Sequence, residues 1–594
     1  GYPDIFGNCA YCMLAKDCDK PLTTERYQIS FPLLARNEKE LMDAFETIGQ
    51  AIMRGLYSRS APVLSTDIQG AASGYFGIVS PKEDKLWQGH LAFMDISEIA
   101  GSTATSITVK IKADAATVLN DRDESTSPRE IFTSLFKASK WERVEFVTSE
   151  ASQLADSLFP LYPVYNKLFD VDGDDGASLD SNDASELIKF IRVAPGVTYA
   201  DTDTNPANDI KRTWKLGAIF HSTPISSGPP PKDALPGDPS YQAFVGDYAN
   251  TPQIAYVGAL DGMLHAFFFQ DPDGDGTRSV GEEAFGYIPN YLLKSLWPLY
   301  HGEQVVLVDG DPNVAVMKTN TGYPTSAPEG KTAYDLWCKE TEGWCWQTIL
   351  YSGLRDGGPA YFALNITDAN TIKDQASKDI KVRWEFTDPD DADTVDTFLG
   401  NSWSLAYVDE LRFQPEGEEE LDTRVVMMFG GGKGTPTNKP YEGSWLYIIN
   451  ADDGTQLKTI LVPSIGQYCN IAPGDLLTAD NYRSKCTMTV DGDTTQVPGD
   501  VLAMDLDFDG YPDFGYFGDL QGRVWKFNVH DPDPAKWGIC LFFDTGDNGY
   551  NDLSKPKAEC DEDLRKYSAT DPERTDHCVS PDKRRPIMLS LIHI

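Results

Sequence analysis

The chain has 594 residues, of which 41% are hydrophobic and 11% aromatic, enough apolar surface to exclude a wholly disordered protein. Its 91 acidic and 51 basic side chains give a formal net charge of −40, which disfavours unassisted binding to nucleic acid or to an anionic membrane surface. No apolar run approaches the roughly 20 residues that a membrane-spanning helix requires, so no direct membrane span is expected.

The first third of the chain predicts a mixture of helices and strands. Apolar residues at near-helical spacing between 38 and 55 indicate an amphipathic helix, and residues 1–60 are interpreted as the tail of an N-terminal module. Residues 61–195 predict a small α+β region. Its stretch 129–192 is predicted to be mostly helical, with Ser181 as the N-cap of the last helix.

A degenerate repeat over residues 196–588 predicts a mainly β chain and a β-propeller. Each copy is an apolar strand, a Gly/Asp turn and a second strand ending in aromatic residues, the pattern of a β-hairpin. The copies lie at 255–267, 348–364, 425–449 and 514–527. Their glycines, 77 to 95 residues apart, are Gly258, Gly353, Gly430 and Gly518. A compact blade has only roughly 40–50 residues, so long insertions or weaker intervening blades are expected, and a tandem of β-sandwiches is the alternative.

The ten cysteines fall in local groups, which indicates disulfides and an oxidising compartment. The four in the middle of the chain are predicted to be in disulfides, with Cys338 and Cys345 paired across a loop. Haem and zinc are less consistent with the pattern. Cys9-x-x-Cys12 is followed by Met13 rather than by the His of a haem attachment motif, and the chain has no second CxxC knuckle for zinc.

Both ends of the chain indicate a fragment. It begins Gly1-Tyr2-Pro3, without Met or an apolar export signal, so the signal is expected to have been removed or the N-terminus to be missing. Residues 589–594 match the translation of a common transposon-type sequencing adapter and are interpreted as an adapter-derived scar. The natural protein is therefore expected to continue beyond about Met588, which leaves the predicted propeller incomplete at its C-terminus.

The segment 505–513 has the spacing of a calcium-binding loop. Carboxylates stand at positions 1, 3, 5 and 9, a glycine at position 6 permits a left-handed turn, and the residue at position 7 can offer its backbone carbonyl. Calcium prefers six to eight oxygen ligands, whereas soft metals prefer His and Cys, which the loop lacks. The predicted ligands are Asp505, Asp507, Asp509, Tyr511 and Asp513.

Three further acidic segments partly share this pattern. Segment 271–282 satisfies the twelve-position EF-hand loop pattern, although no helix flanks it. Its predicted ligands are Asp271, Asp273, Asp275, Thr277 and Glu282. Segment 170–180 has its glycine one place late, and segment 201–209 has Pro206 where glycine belongs, so calcium binding there is left open.

These residues resemble the PilC/PilY family of type IV pilus assembly and tip adhesin proteins. The most specific stretch is 505–527, where the acidic loop runs into Tyr-x-Gly-Asp-Leu-x-Gly-x-x-Trp-x-Phe, here Tyr516 to Phe527. Weaker matches extend the resemblance over roughly residues 40 to 588. Asp95-Ile96-Ser97-Glu98 breaks the Asp-x-Ser-x-Ser motif of the von Willebrand A-type domain that members often carry.

The resemblance implies a modified propeller with quinoprotein-like blades, in which calcium occupancy governs pilus extension and retraction. It also implies adhesion to host or abiotic surfaces, minor pilins as partners, and export to the periplasm and then to the pilus tip or cell surface. Calcium at the 505–513 loop is expected to rigidify one blade edge and so control how the propeller engages pilus components.

The alternative function is that of a quinoprotein dehydrogenase, whose propeller binds calcium together with pyrroloquinoline quinone. The vicinal cysteines common in that class are absent from the sequence. Residues 430–434 do not meet the spacing of a phosphate-binding loop, and neither His221 nor His265 belongs to a Ser-His-Asp pattern. A binding protein without enzymatic activity is therefore expected.

Overall fold

A computed structural model of the chain describes its main secondary structure elements with gaps between them. The described residues are 63–65, 72–82, 85–100, 105–158, 180–193, 213–269, 279–319, 332–339, 344–368, 380–387, 399–414, 421–434, 442–462, 468–469, 486–487 and 495–544. The predicted helix at 38–55 and the acidic segment 201–209 lie outside them. Within the described part of the chain, no helix is both long and apolar enough to cross a membrane.

The described part begins with an antiparallel sheet, called the N-terminal sheet. Its four strands pair in sequence order: β1 (Val63–Ser65), β2 (Ala72–Lys82), β3 (Lys85–Ala100) and β4 (Thr105–Asp114). Helix α1 (Ala115–Asp121) follows β4 directly, because Asp114 caps it by accepting a hydrogen bond from the backbone N–H of Ala116 at 3.1 Å.

The next sheet, sheet A, combines strands from both sides of residue 196. Its order is β6-β5-β10-β9-β8-β7, with β5 and β10 parallel and the other neighbours antiparallel. The strands are β5 (Ile131–Lys137), β6 (Lys140–Glu145), β7 (Ile225–Ser227), β8 (Ile254–Gly258), β9 (Leu264–Phe268) and β10 (Glu283–Ile288). The prediction of a mostly helical stretch at 129–192 is therefore wrong for its first part.

Two helices of the α+β region pack against sheet A. They are α2 (Ala151–Leu158) and α3 (Ser181–Arg192), and both contribute fully buried side chains, such as Leu154 and Leu187, to the core shared with β5 and β10. The N-cap of α3 is Asp180, not the predicted Ser181. Asp180 accepts from the N–H of Asn182 at 2.6 Å and forms a capping box with Asp183.

Three more sheets follow, each an antiparallel meander. Sheet B has the order β11-β13-β14-β15 with β12 on β13; sheets C and D are four-stranded in sequence order. Sheet B contains β11 (Pro312–Thr319), β12 (Cys338–Lys339), β13 (Trp344–Gly353), β14 (Tyr361–Asn365) and β15 (Lys381–Phe386). Sheet C contains β16 (Tyr407–Phe413), β17 (Asp422–Gly430), β18 (Trp445–Asn450) and β19 (Gln456–Leu461). Sheet D contains β22 (Leu502–Met504), β23 (Phe514–Gly518), β24 (Arg523–Asn528) and β25 (Gly538–Asp544).

Short elements fill the connections. A two-stranded pair links sheets C and D: β20 (Tyr468–Cys469) and β21 (Cys486–Thr487). The remaining α-helices are α4 (Pro239–Asp247), α5 (Trp297–Tyr300) and α6 (Tyr334–Trp337). Single 3-10 segments occur at Thr148–Glu150, Asn290–Ser295, Arg355–Gly357 and Pro534–Lys536.

The four repeat glycines all end a strand, at the last residues of β8, β13, β17 and β23. Three of them touch the segment that leads into the following sheet. A Cβ on Gly258 would lie 2.7 Å from the carbonyl oxygen of Val308, and one on Gly430 would lie 2.3 Å from that of Val497. Gly353 meets Ser402 in the same way. Only glycine permits backbones to approach this closely, so the repeat spacing reflects contacts between successive sheets.

Hydrogen bonds join the segments that precede the first strands of successive sheets. The N–H of Thr223, before β7, donates to Asp311, before β11, at 2.5 Å. The N–H of Leu405, before β16, donates to Asp500, before β22, at 2.8 Å. The prediction of a mainly β chain is confirmed. The propeller stays a prediction, since no strand pairing among the described residues joins the sheets into a closed ring.

The cysteine prediction is confirmed for one pair. Cys338 and Cys345 are bonded, with 4.0 Å between their Cα atoms, and face each other across β12 and β13. They lie in an aromatic cluster with Trp337 and Trp346. Backbone pairing also places Cys469 opposite Cys486 in the β20–β21 ladder. The disulfide prediction for these two cysteines stays a prediction.

Candidate metal centre

The acidic loop 505–513 connects β22 and β23 at the start of sheet D. These two strands pair directly, with Met504 opposite Phe514, so the loop closes a hairpin whose ends are fixed. Backbone hydrogen bonds continue past the strands: the N–H of Asp513 donates to the carbonyl of Met504 at 2.9 Å. The hairpin thus holds the two ends of the loop together before any ligand is considered.

Within the loop, the carboxylates fold the backbone around themselves. Asp505 accepts from the N–H of Phe508 at 2.7 Å and from that of Gly510 at 2.9 Å. Asp507 accepts from the N–H of Asp509 at 3.2 Å, and Asp509 accepts from the N–H of Tyr511 at 3.0 Å. Gly510 has φ = 94°, the left-handed conformation that its position in the pattern requires.

This folding brings three carboxylates together. One oxygen each from Asp505, Asp507 and Asp509 lies within 4.8 Å of the other two. Like charges at this separation repel one another, and a cation among them would relieve the repulsion. Because every potential metal-ligand atom in the set is a carboxylate oxygen, the set fits a hard ion such as calcium better than a soft one.

Asp513 has a different environment from the other three carboxylates. It is buried, and its Oδ2 accepts from the N–H of Leu506 at 2.8 Å and of Asp507 at 3.3 Å. The N–H of Leu506 and the His530 ring hold the pKa of the Asp513 carboxyl below its usual value. Asp507, Asp513 and His530 also have donor atoms within 4.8 Å of one another, so Asp513 adjoins the three-carboxylate group.

Two residues at this loop were missed by the sequence analysis. His530, just after β24, has its Nδ1 2.5 Å from Asp513 Oδ1. Arg412, from β16 of sheet C, forms an ion pair with Asp509 and lies over the ring of Tyr511, 5.2 Å from its centroid. His530 is 17 residues from Asp513 and Arg412 is 97 residues from Asp509, so both lie outside the nine-residue loop pattern.

The family signature after the loop has a structural explanation in the β23–β24 hairpin. Asp519, fully buried, follows β23 and accepts from Arg523 Nε at 2.7 Å and from Trp525 Nε1 at 2.8 Å. Its other oxygen accepts the N–H groups of Gln521 and Arg523. The Asp and Trp of the signature therefore close the hairpin rather than bind a ligand.

The second predicted loop lies mostly outside the described residues. Its predicted ligands Asp271, Asp273, Asp275 and Thr277 lie outside the described residues, whereas Glu282 lies within them. The Glu282 carboxylate accepts from the N–H of Ser279 at 3.3 Å, and its carbonyl accepts from Phe268, which places the segment in the β9–β10 connection. In the 170–180 loop, only Asp180 is described, as the N-cap of α3.

A buried charged network lies away from the acidic loop, between the α+β region and sheet A. His265 is fully buried, with Nδ1 2.8 Å from Glu283 and Nε2 3.2 Å from Asp261. Burial lowers the pKa of His265, but Asp261 and Glu283 raise it by more, so the net pKa is raised. Burial likewise raises the pKa of Glu283, and Arg129 outweighs it, so that pKa is lowered.

A further polar group, His221, Asp309 and Asp356, has donor atoms within 4.8 Å of one another. Its members already bind protein groups. Asp309 accepts from the N–H of His221 at 2.9 Å and lies 2.6 Å from its Nδ1, and Asp356 accepts from Trp403 Nε1 at 2.9 Å. The group is accounted for by these contacts, which tie the segment before β7 to sheet B.

Comparison with curated proteins confirms the resemblance found in the sequence. The chain is 26% identical over 525 residues to the type IV pilus biogenesis factor PilY1 of Pseudomonas aeruginosa, covering 84% of this chain and 35% of that protein. It is 26% identical over 378 residues to a PilY1 homolog of Xylella fastidiosa, covering 62% and 20%. The chain thus spans about a third or less of the length of these relatives. No family model matches it.

Among solved structures, the chain is similar to the C-terminal domain of Pseudomonas aeruginosa PilY1. The sequence identity is 24%, and the alignment covers 52% of this chain and 45% of that one, with a TM-score of 0.29.

Proposed function

We propose that the chain is part of a calcium-binding type IV pilus biogenesis and adhesion protein of the PilC/PilY kind. The relatives named above support the pilus role, because they are named as pilus biogenesis factors and their sequences match most of this chain. The convergence of Asp505, Asp507 and Asp509 in one hairpin loop carries the calcium assignment. The protein would be exported to the periplasm and act at the pilus tip or cell surface, in extension and retraction control and in attachment.

The proposed architecture is a modified β-propeller in which sheets A to D are successive blades. Each of these sheets contains an antiparallel run of four strands, and in sheets A, B and C the repeat glycine contacts the segment that leads into the next sheet. The two aspartate links described above, Asp311 and Asp500, join neighbouring sheets at equivalent positions. A crystal structure tests this arrangement; sheets stacked face to face as sandwiches would contradict it.

At the loop, calcium would be held by the four aspartates with the backbone carbonyl of Tyr511. When bound, the ion supplies positive charge that offsets the clustered carboxylates and fixes the hairpin. The chain's own contribution is preorganisation: Asp505 and Asp513 already shape the backbone through N–H groups, so the loop has little conformational freedom left to lose on binding.

Titration calorimetry tests the site. Asp507→Asn keeps an acceptor for the N–H of Asp509 and removes one charge, so the loop should keep its shape and bind calcium about tenfold more weakly or worse. Asp533→Asn is the matched control. Asp533 also accepts a backbone N–H in a loop of sheet D, from Ala535, and stands outside the cluster. Equal affinity of Asp507→Asn and wild type would exclude this loop as the calcium site.

The proposed partners are minor pilins, together with a ligand on a host or abiotic surface. Co-purification with the minor pilins of the source bacterium tests the first partner, in calcium and in chelator. Calcium-dependent retention that Asp507→Asn loses and Asp533→Asn keeps is the expected result. Retention that is the same in calcium, in chelator and in both variants would show that the loop plays no part in that contact.

The protein is proposed to have no enzymatic activity. The buried titratable group Glu283 is hydrogen-bonded to both His265 and Arg129, and His265 also contacts Asp261, which gives these groups a structural role. Alcohol-dependent dye reduction by the purified chain, after addition of calcium and pyrroloquinoline quinone, would instead establish the quinoprotein alternative.

A further inference from the structure

The side chain of Arg412, in sheet C, forms an ion pair with Asp509, one of the predicted calcium ligands. Arg412 Nη2 is paired with Asp509 Oδ2, while Asp509 Oδ1 accepts the N–H of Tyr511 at 3.0 Å. Both oxygens of Asp509 are therefore engaged by the protein itself. The guanidinium also lies over the ring of Tyr511, so Arg412 contacts two members of the predicted ligand set.

The same oxygen cannot serve both cations well. A carboxylate oxygen that accepts a charge-assisted bond from a guanidinium has its lone pair and its field directed at that group, and a divalent ion beside a guanidinium is repelled. The pair is also easily opened. The side chains of Arg412 and Asp509 are 34% and 28% exposed, and exposed pairs contribute little to stability.

The exchange would act at the junction between two sheets. Arg412 lies in β16 of sheet C, and its partner lies in the β22–β23 loop of sheet D. The junction has other contacts that do not involve the loop: the N–H of Gln414 donates to the carbonyl of Pro532 at 2.9 Å, and the rings of Phe413 and Trp537 are 6.4 Å apart. The sheets would therefore stay together when Arg412 leaves Asp509.

We propose that Arg412 is an internal counter-cation that holds Asp509 in the ion-free chain and is displaced when calcium binds. Calcium binding then releases the loop from sheet C, which makes this residue the link between ion occupancy and the junction of sheets C and D. The inference rests on the proposed calcium function and adds a competing group to that site.

The test compares Arg412→Gln with a matched control, Arg424→Gln. Arg424 lies in the neighbouring strand β17, opposite Leu411, and pairs with Asp422 at 3.2 Å with similar exposure. It carries the same charge close to Arg412 and makes its ion pair away from the loop. A long-range effect of lost charge should appear in both variants, whereas displacement should appear only in Arg412→Gln.

Calcium affinity and melting temperature are measured at low ionic strength, with chelator and with saturating calcium. Arg412→Gln should bind calcium about 1.5- to 5-fold more tightly than wild type, and Arg424→Gln should be unchanged. Arg412→Gln should melt below wild type in chelator and at the same temperature in saturating calcium. The gain in affinity should shrink as salt is raised, because exposed pairs are screened.

Three results would overturn the inference: equal affinities of Arg412→Gln and wild type, equal gains in the two arginine variants, or the same melting difference with and without calcium. The last would mean that the ion and the Arg412–Asp509 pair coexist. A wild type that binds no calcium would overturn the proposed function as well. That outcome is distinct, since the melting temperatures would then be independent of calcium in every variant.

Discussion

Arg129 grips both carboxylate oxygens of Glu283, at 2.6 Å from Nε and 2.7 Å from Nη2, with both side chains fully buried. Arg129 precedes β5 and Glu283 begins β10, so the pair lies where the α+β region joins sheet A. The Glu283 carboxylate is also hydrogen-bonded to His265 Nδ1, so Arg129, Glu283 and His265 form one buried network.

Removing one member of this pair should be costly. Arg129→Met leaves Glu283 buried with only His265 opposite it, and breaking a buried ion pair costs about 3–5 kcal/mol of unfolding free energy. Denaturant unfolding of this variant measures the loss. Lys140→Ala, which breaks an exposed pair with Glu142, should cost less than about 1 kcal/mol. Losses of similar size in the two variants would show that the buried network is not what stabilises this junction.

Stability should depend on the protonation of His265. Its pKa is raised above 6.5 in the folded chain by Asp261 and Glu283. The charged form is therefore favoured by folding, and this contribution is fully present below the unfolded pKa and lost as the pH rises through the folded pKa. The stability advantage of wild type over His265→Gln should shrink as the pH is raised above 6.5 and through the folded pKa. A pH-independent difference, measured by denaturant unfolding, would contradict the charged assignment.

A methyl group at a repeat glycine should disrupt the contact between sheets. Gly430→Ala places a Cβ 2.3 Å from the Val497 carbonyl oxygen, and overpacking of this kind costs about 1–3 kcal/mol. Gly246→Ala is the control, because a Cβ there meets nothing within 4 Å and Gly246 lies in α4, where alanine is favoured by up to about 1 kcal/mol. Melting temperatures should move in opposite directions. A Gly430→Ala protein as stable as wild type would show that the backbones can separate.

The Cys338–Cys345 bridge should stabilise the α6–β13 region. The cysteines are separated by 7 residues, and closing a loop of this size contributes about 2–3 kcal/mol. Cys338→Ser with Cys345→Ser should lower the melting temperature, and reducing agent should lower that of wild type in the same way. Intact-mass measurement of the protein isolated from its source bacterium reports the bond itself. A free thiol pair in that protein would argue against the oxidising compartment.

The local signals in the sequence were reliable where the chemistry is local. The spacing of Asp505, Asp507 and Asp509 places them in one cluster because each turns the backbone two to five residues ahead. The repeat glycines mark strand ends because only a missing Cβ allows the approach seen at Gly430. The acidic cluster depends on neighbours in the chain, and the glycine pattern depends on a steric contact that recurs in sheets A, B and C.

Other features depend on partners far away in sequence. Residues 131–136, Ile-Phe-Thr-Ser-Leu-Phe, have apolar residues at helix-like spacing, yet they form β5 because β10 lies parallel beside them, 155 residues later. Arg412 reaches Asp509 across 97 residues. No short stretch of sequence contains both members of either pair, so these contacts could not be predicted from local sequence patterns.

The composite nature of sheet A bears on how the chain can be produced in pieces. A fragment beginning at residue 196 would lack β5 and β6 and would leave β10, a strand with six buried residues, as a bare edge. Uncovered apolar edges invite strand addition by other copies and precipitation. A workable expression boundary therefore lies upstream of Arg129, where the edge of β10 stays covered and Glu283 keeps its partner.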